Sequence, residues 1–295
     1  MKFSVFQVSR KGGRAQNEDR MGYCYTREAA LLVVADGMGG HPDGEVAAQC
    51  ALSTVTALFQ KQAQPELTDV ASFLTDALLA AHREILRYGV SQHLRDCPRT
   101  TLVMAIVQAG QVQWTHCGDS RFYLLRRGAL LTRTRDHSLA EQNADRPLAT
   151  RLAQRINRNV LFTCLGSPVH PIFKVDGPIA LQQGDRLMLC SDGLWSAVPE
   201  PLILRALSHQ AVDAAVPDLV ESALRIAGSA SDNVTCLAFS WETPDRFDTL
   251  DMARTRPSLL AGTHEDLEPA MDDATIERSI EEINAAIRRS MARKH

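Results

Sequence analysis

What this 295-residue chain lacks narrows it first. No apolar run approaches the length that crosses a bilayer, so no membrane span is expected. The opening "MKFSVFQVSRKGGR" carries too short an apolar stretch for a secretory leader, and the expectation is a cytoplasmic protein. Neither sign of charge dominates. Lys and Arg number 32 against 35 Asp and Glu, a formal net charge of -3, which supplies no electrostatic ground for nucleic acid or an anionic surface as a partner. The seven cysteines include no CxxC pair. Cys117, Cys190 and Cys236 sit inside apolar, strand-like runs, which suits buried thiols in a reducing compartment better than disulfides or zinc. No G-x-S-x-G elbow, Walker A loop or dinucleotide glycine pattern occurs, and no internal repeat is found.

The body that remains is 45% hydrophobic and 23% charged, an ordinary globular composition. Strand-like runs "KFSVFQV", "MGYCYT" and "ALLVVAD" lead into Ala and Leu at helical spacing, from Gly44 to Phe59 and from Val70 to Tyr88. "TTLVMAIVQ", "QVQWTHCGD" and "RFYLLRRGALL", turned at Gly110 and Gly128, read as an antiparallel meander. Asp136 to Pro171 is polar and irregular, with the texture of helical turns and a flap. "DRLMLCSD", helical segments between Glu200 and Ala227, and "NVTCLAFSW" complete the body. Strands and helices that come in groups argue for an α+β fold of packed sheets covered by helices. After Trp241 the chain becomes a polar linker. Ile276, Ile280, Ile283 and Ile287 then form one helical stripe, expected to dock on the body, a second copy or a partner. The expected division is a catalytic domain over 1–242 and a linker with an amphipathic helix over 243–295.

Acids recur where apolar runs stop. Asp36 ends "LLVVAD", Asp192 ends "RLMLCSD", Asp119 lies in "CGDSR", Asp232 in "SASDNVT", and the pair Glu18-Asp19 in "QNEDR". Each alone reads as a turn residue. Brought together, such carboxylates repel unless a cation holds them, and oxygen-only ligation suits Mg²⁺ or Mn²⁺. Gly37 after Asp36 leaves a carbonyl unhindered enough to join such a shell. Ser120 lacks both an elbow and a His partner, which argues against a serine nucleophile. Residue chemistry alone stops at a divalent-metal site.

The pieces stand in a particular order: "RAQNEDR", "VVADGMGGHPDGEVAA", "TTLVMAIV", "CGDSRFYLLRRG", "RDHSLA", "GDRLMLCSDGLW" and "SDNVTCLAFS". Together, over about Val5 to Trp241, they resemble the motifs of the bacterial metal-dependent serine/threonine protein phosphatases, the type 2C class. The resemblance implies two packed antiparallel sheets flanked by helix pairs, an α-β-β-α sandwich. It implies hydrolysis of phosphoserine and phosphothreonine in proteins by a water or hydroxide bridging two metal ions, in opposition to a bacterial Ser/Thr kinase. Asp36 would bridge the ions with the Gly37 carbonyl on one of them; Asp192 and Asp232 would complete the first; Glu18, backed by Asp19, would serve the second. Asp119 with Asp192 matches a weaker third ion, Arg14 the arginine that grips the substrate phosphate, and Asn233 a residue orienting the last carboxylate. Met38 stands where eukaryotic members carry a His proposed as general acid; His41 is a candidate to replace it. Arg99 replaces a usual Gly, and Thr163-Cys164 an usual pair in the flap. Two alternatives accompany this reading: a phosphatase fold kept as a binding module, which would have lost metal carboxylates, and a partner-switching regulator, which would carry sensor domains.

Overall fold

The computed structural model describes residues 1–38, 43–144 and 160–243. Their ten strands form two five-stranded antiparallel sheets. The first orders as β1 (Phe3–Arg10), β10 (Val234–Trp241), β9 (Arg186–Cys190), β6 (Arg121–Arg126) and β7 (Ala129–Arg133). The second orders as β2 (Arg20–Tyr25), β3 (Ala29–Ala35), β4 (Leu102–Gln108), β5 (Gln111–Cys117) and β8 (Val175–Ala180). Helices α1 (Gly44–Gln62) and α2 (Val70–Ser91) cover the second sheet. The short α3 (Leu139–Ala144) follows β7, and α4 (Asp192–Trp195) follows β9. Helices α5 (Glu200–His209) and α6 (Val212–Ala227) cover the first sheet. The α-β-β-α sandwich is as expected.

Three apolar layers explain why the central strands are uninterrupted hydrophobic runs: they are buried on both faces. Along β3, Ala29, Leu31, Val33 and Ala35 pack toward α1 and α2, while Ala30, Leu32 and Val34 pack between the sheets. Along β4, Leu102, Met104 and Ile106 take the helix side, and Val103, Ala105 and Val107 the inner one. That alternation is the two-residue period of a strand. A third layer joins Tyr123, Met188, Cys190 and Cys236 to Ile203, Val216 and Val220 of α5 and α6. Asp69 caps α2, its carboxylate accepting from the amides of Ala71 at 2.9 Å and Ser72 at 3.2 Å. All seven cysteines are free thiols, with Cys117, Cys190 and Cys236 buried.

Two sequence expectations need correction. β4–β5 and β6–β7 are hairpins, but they do not form one meander: β5 belongs to the second sheet and β6 to the first. The chain changes sheets at Gly118, whose φ of +108° and approach to Thr101 (an added Cβ would lie 2.7 Å from its Cβ) suit no other residue. β8 escapes the hydrophobic pattern because "VDGPIA" holds Gly177 and Pro178; at a sheet edge its proline leaves no ladder bond unmade. The described residues all fall within one compact unit, Met1–Asp245. The linker from Pro244 and the Ile276–Ile287 stripe lie outside the described residues, as does His41.

Candidate metal centre

Antiparallel register carries the acids to one end of the sandwich. Arg10 pairs with Val234, Arg20 with Ala35, Leu102 with Cys117, and Cys236 with Cys190. The chain just beyond each of these pairs therefore emerges at the same place. There a cleft of about 370 Å³ is lined by Arg14, Glu18, Asp36, Gly37, Asp119, Asp192, Asp232 and Asn233 among others. Asp19 is buried behind this floor at 3% exposure, where the Ser191 hydroxyl donates to its Oδ2 at 2.8 Å.

Backbone bonds hold the loops in place. The Asp36 carbonyl accepts from the Thr101 amide and the Thr100 hydroxyl, each at 2.8 Å, and the Asp36 amide donates to Thr101 Oγ1 at 3.1 Å. Gly37 must be glycine for more than its carbonyl: an added Cβ would lie 2.5 Å from the Gly44 carbonyl oxygen. Asn233 is buried. Its Oδ1 accepts from the Glu18 amide at 2.8 Å, its Nδ2 donates to the Lys11 and Gln16 carbonyls, and its own amide donates to Asp232 Oδ1 at 2.8 Å. One side chain thus ties the Arg14–Glu18 loop to the Asp232 turn. Arg14 Nη2 reaches Asp232 Oδ2 at 2.6 Å, with about half of the arginine side chain exposed.

Electrostatics mark these acids as strained without a cation. Burial first, then Asp19 and Asp192, pushes the Asp36 carboxyl well above the ordinary carboxylate range. Burial followed by the charges of Asp119 and Asp232 raises Asp192 to about 8. Asp19 and Asp119 rise to about 6, again chiefly through burial, and Glu18 rises for the same reason, aided by Glu45. Glu18 Oε2 and Asp19 Oδ1 are buried with no hydrogen-bond partner. Among the described residues no three His, Cys, Asp or Glu side chains form a ready-made cation cage. They ring a cavity instead, an arrangement suited to Mg²⁺ or Mn²⁺, ions that bind through few carboxylates and keep water in their shell. All-oxygen donors, orphaned carboxylate atoms and mutual repulsion fit such ions.

Several wall residues carry no acid signal in the sequence. Met38, Thr101 and Leu161 line the cleft. Ser120 is 1% exposed and its Oγ lies 2.7 Å from Thr101 Oγ1, which makes it a buried link. Thr163 and Cys164 are buried too; Thr163 Oγ1 accepts from the Ile172 amide at 2.8 Å and faces Cys117 Sγ at 3.4 Å. Arg99 turns its Nη2 to Asp96 at 3.2 Å.

The chain as a whole has known relatives. The family described as Protein phosphatase 2C matches residues 8–227. The serine/threonine phosphatase stp of Listeria monocytogenes is 31% identical over 238 residues, 79% of this chain and 93% of that protein. The serine/threonine protein phosphatase PstP of Mycobacterium tuberculosis is 33% identical over 252 residues, 84% of this chain and 45% of that protein. The crystal structure of the PstP catalytic domain in complex with two manganese ions superposes with a TM-score of 0.68 at 31% identity, covering 81% of this chain and 97% of that one. The family match spans most of the chain and the fold is shared with these relatives, so the chain belongs to the protein phosphatase 2C family.

Proposed function

We propose that this cleft hydrolyses phosphoserine and phosphothreonine monoesters in proteins, with Mn²⁺ or Mg²⁺ held by Asp36, the Gly37 carbonyl, Asp192, Asp232 and Glu18, backed by Asp19. Two ions would form the centre, and Asp119 with Asp192 would hold a weaker third. The supporting observation is the set of buried, mutually repelling acids brought from separate loops to one cleft with two orphaned carboxylate oxygens. When bound, the ions supply an acidified water and neutralise phosphate charge.

This chain's own residues bind and orient. Arg14 sits at the cleft with its planar fork exposed; it exchanges Asp232 for two oxygens of the substrate phosphate. Asn233 keeps the Arg14–Glu18 loop against the Asp232 turn, so the arginine and the acids share one frame. The bond between phosphorus and the serine or threonine oxygen breaks, a water oxygen takes its place, and the departing oxygen needs a proton. Met38 has none to give, and among the described residues no His or Lys lines the cleft, so the donors proposed are a cleft water and His41, which lies outside the described residues. The partners proposed are phosphoproteins, a Ser/Thr kinase and its substrates in the cytoplasm, with the C-terminal segment docking on its own body, a second copy or a partner.

Hydrolysis of an aryl phosphate and a phosphothreonine peptide, followed while Mn²⁺ is titrated into chelator-treated protein, tests the reading. Activity should depend on the ion, and Asp36→Asn should lower turnover by at least about 10²-fold, beyond the loss typical of an outer-shell change. Turnover that persists in excess chelator, or an Asp36→Asn variant near the wild-type rate, would overturn it.

A further inference from the structure

Three of the acid tips are joined by groups that do not line up in the sequence. Thr101 Oγ1, at the start of β4, accepts from the Asp36 amide at 3.1 Å and shares a hydrogen with Ser120 Oγ at 2.7 Å. Ser120 follows Asp119 in the crossover from β5 to β6. On the other side, the indole Nε1 of Trp195 donates to the Asp119 carbonyl at 2.9 Å. Trp195 closes the single turn of α4 that Asp192 opens, so its indole spans from one acid's element to the next acid's backbone. The indole is itself clamped. The Arg121 guanidinium lies 3.6 Å above the ring, held there by two bonds to Asp136 at 2.7 and 2.8 Å. Gly193 completes the fit, since a Cβ there would lie 2.1 Å from the Asn233 carbonyl oxygen.

We propose that Trp195 and the Thr101–Ser120 hydroxyl pair are positioning residues that fix Asp119 against Asp36 and Asp192, and so set the affinity of the cleft's weakest cation without touching it. The inference rests on the metal-dependent reading above. Its physical basis is geometric: Gly118, just before Asp119, has the backbone freedom of a glycine in a left-handed region, so Asp119 needs external ties to hold its place. The backbone carbonyl and the neighbouring hydroxyl provide two, one toward Asp192 and one toward Asp36. Groups that orient ligands from behind alter metal affinity about 10–100-fold when removed.

The test is calorimetric titration of Mn²⁺ into the chelator-treated full chain, wild type against Trp195→Phe and Ser120→Ala. Phenylalanine keeps an aromatic ring under Arg121 but loses the pyrrole half of the indole together with its N–H; alanine removes a single oxygen. Each variant should melt in chelator with the wild type, keep the tighter Mn²⁺ steps unchanged, and weaken the weakest step by about 10–100-fold. Indole fluorescence of wild type should also respond to that last step and Trp195→Phe should lose the response. Isotherms that superimpose on wild type would overturn the proposal. So would a uniform weakening of every step together with a lowered melting temperature, the mark of a merely structural role. A wild type that takes up no Mn²⁺ at all would instead remove the metal reading on which the proposal stands.

Discussion

At the scale of the residue, the acids of this cleft are costly without their ions, and the cost has a sign in pH. Asp192 titrates near 8, and Asp19 and Asp119 near 6, where burial and neighbouring carboxylates disfavour their charge. A carboxyl raised in this way binds its proton more tightly folded than unfolded. Its contribution is full below about pH 4, the ordinary carboxylate value, and is lost as pH climbs through the folded value. Metal-free protein should therefore lose stability between about pH 4 and about pH 8. Asp192→Asn cannot ionise. In chelator at pH 8 it should melt at least about 3 °C above the wild type, the shift that about 1 kcal/mol produces in a body of this size, with the gap closing toward pH 4. Thermal melts at the two pH values check this; a variant melting level with or below wild type at pH 8 would refute the repulsion argument.

At the scale of the element, the acid tips were legible and their ties were not. "LLVVAD" and "RLMLCSD" announce a strand that ends on a carboxylate, because an apolar run buried on both faces stops where the site begins. The pairing of Thr101 with Ser120, or of the Trp195 indole with the Asp119 carbonyl, depends on how two sheets are stacked, and residue spacing carries no record of that. The change of sheet at Gly118 was hidden for the same reason, and β8 because Gly177 and Pro178 break its alternation. The crossover offers its own test. Gly118→Ala forces a side chain into a left-handed φ of +108° and within 2.7 Å of Thr101 Cβ, so a loss of about 2–3 kcal/mol is expected. Urea unfolding in the presence of chelator measures it, and a loss under about 1 kcal/mol would mean that the turn relaxes without strain.

At the scale of the whole molecule, the phosphatase body is sealed where β10 meets β1. Phe3 pairs with Trp241, the Glu242 amide donates to the Lys2 carbonyl at 3.0 Å, and Lys2 donates to Thr243 Oγ1 at 2.7 Å. A chain ending after Thr243 keeps all of these bonds. Truncation there should leave aryl phosphate hydrolysis and the melting temperature unchanged while altering action on a protein substrate or the oligomeric state. Sedimentation and a phosphoprotein assay compare the two forms, and identical behaviour in both would make the C-terminal segment dispensable. The Arg14–Asp232 pair carries a last consequence for how the molecule works as a machine of several ligands. A guanidinium and a divalent cation compete for the charge of one carboxylate, so an ion settling on Asp232 weakens its pair with Arg14 and leaves the arginine freer for an anion. Linkage then runs both ways: ion and phosphate each raise the other's affinity by the same factor, and the resting arginine acts as a latch that either ligand loosens for the other.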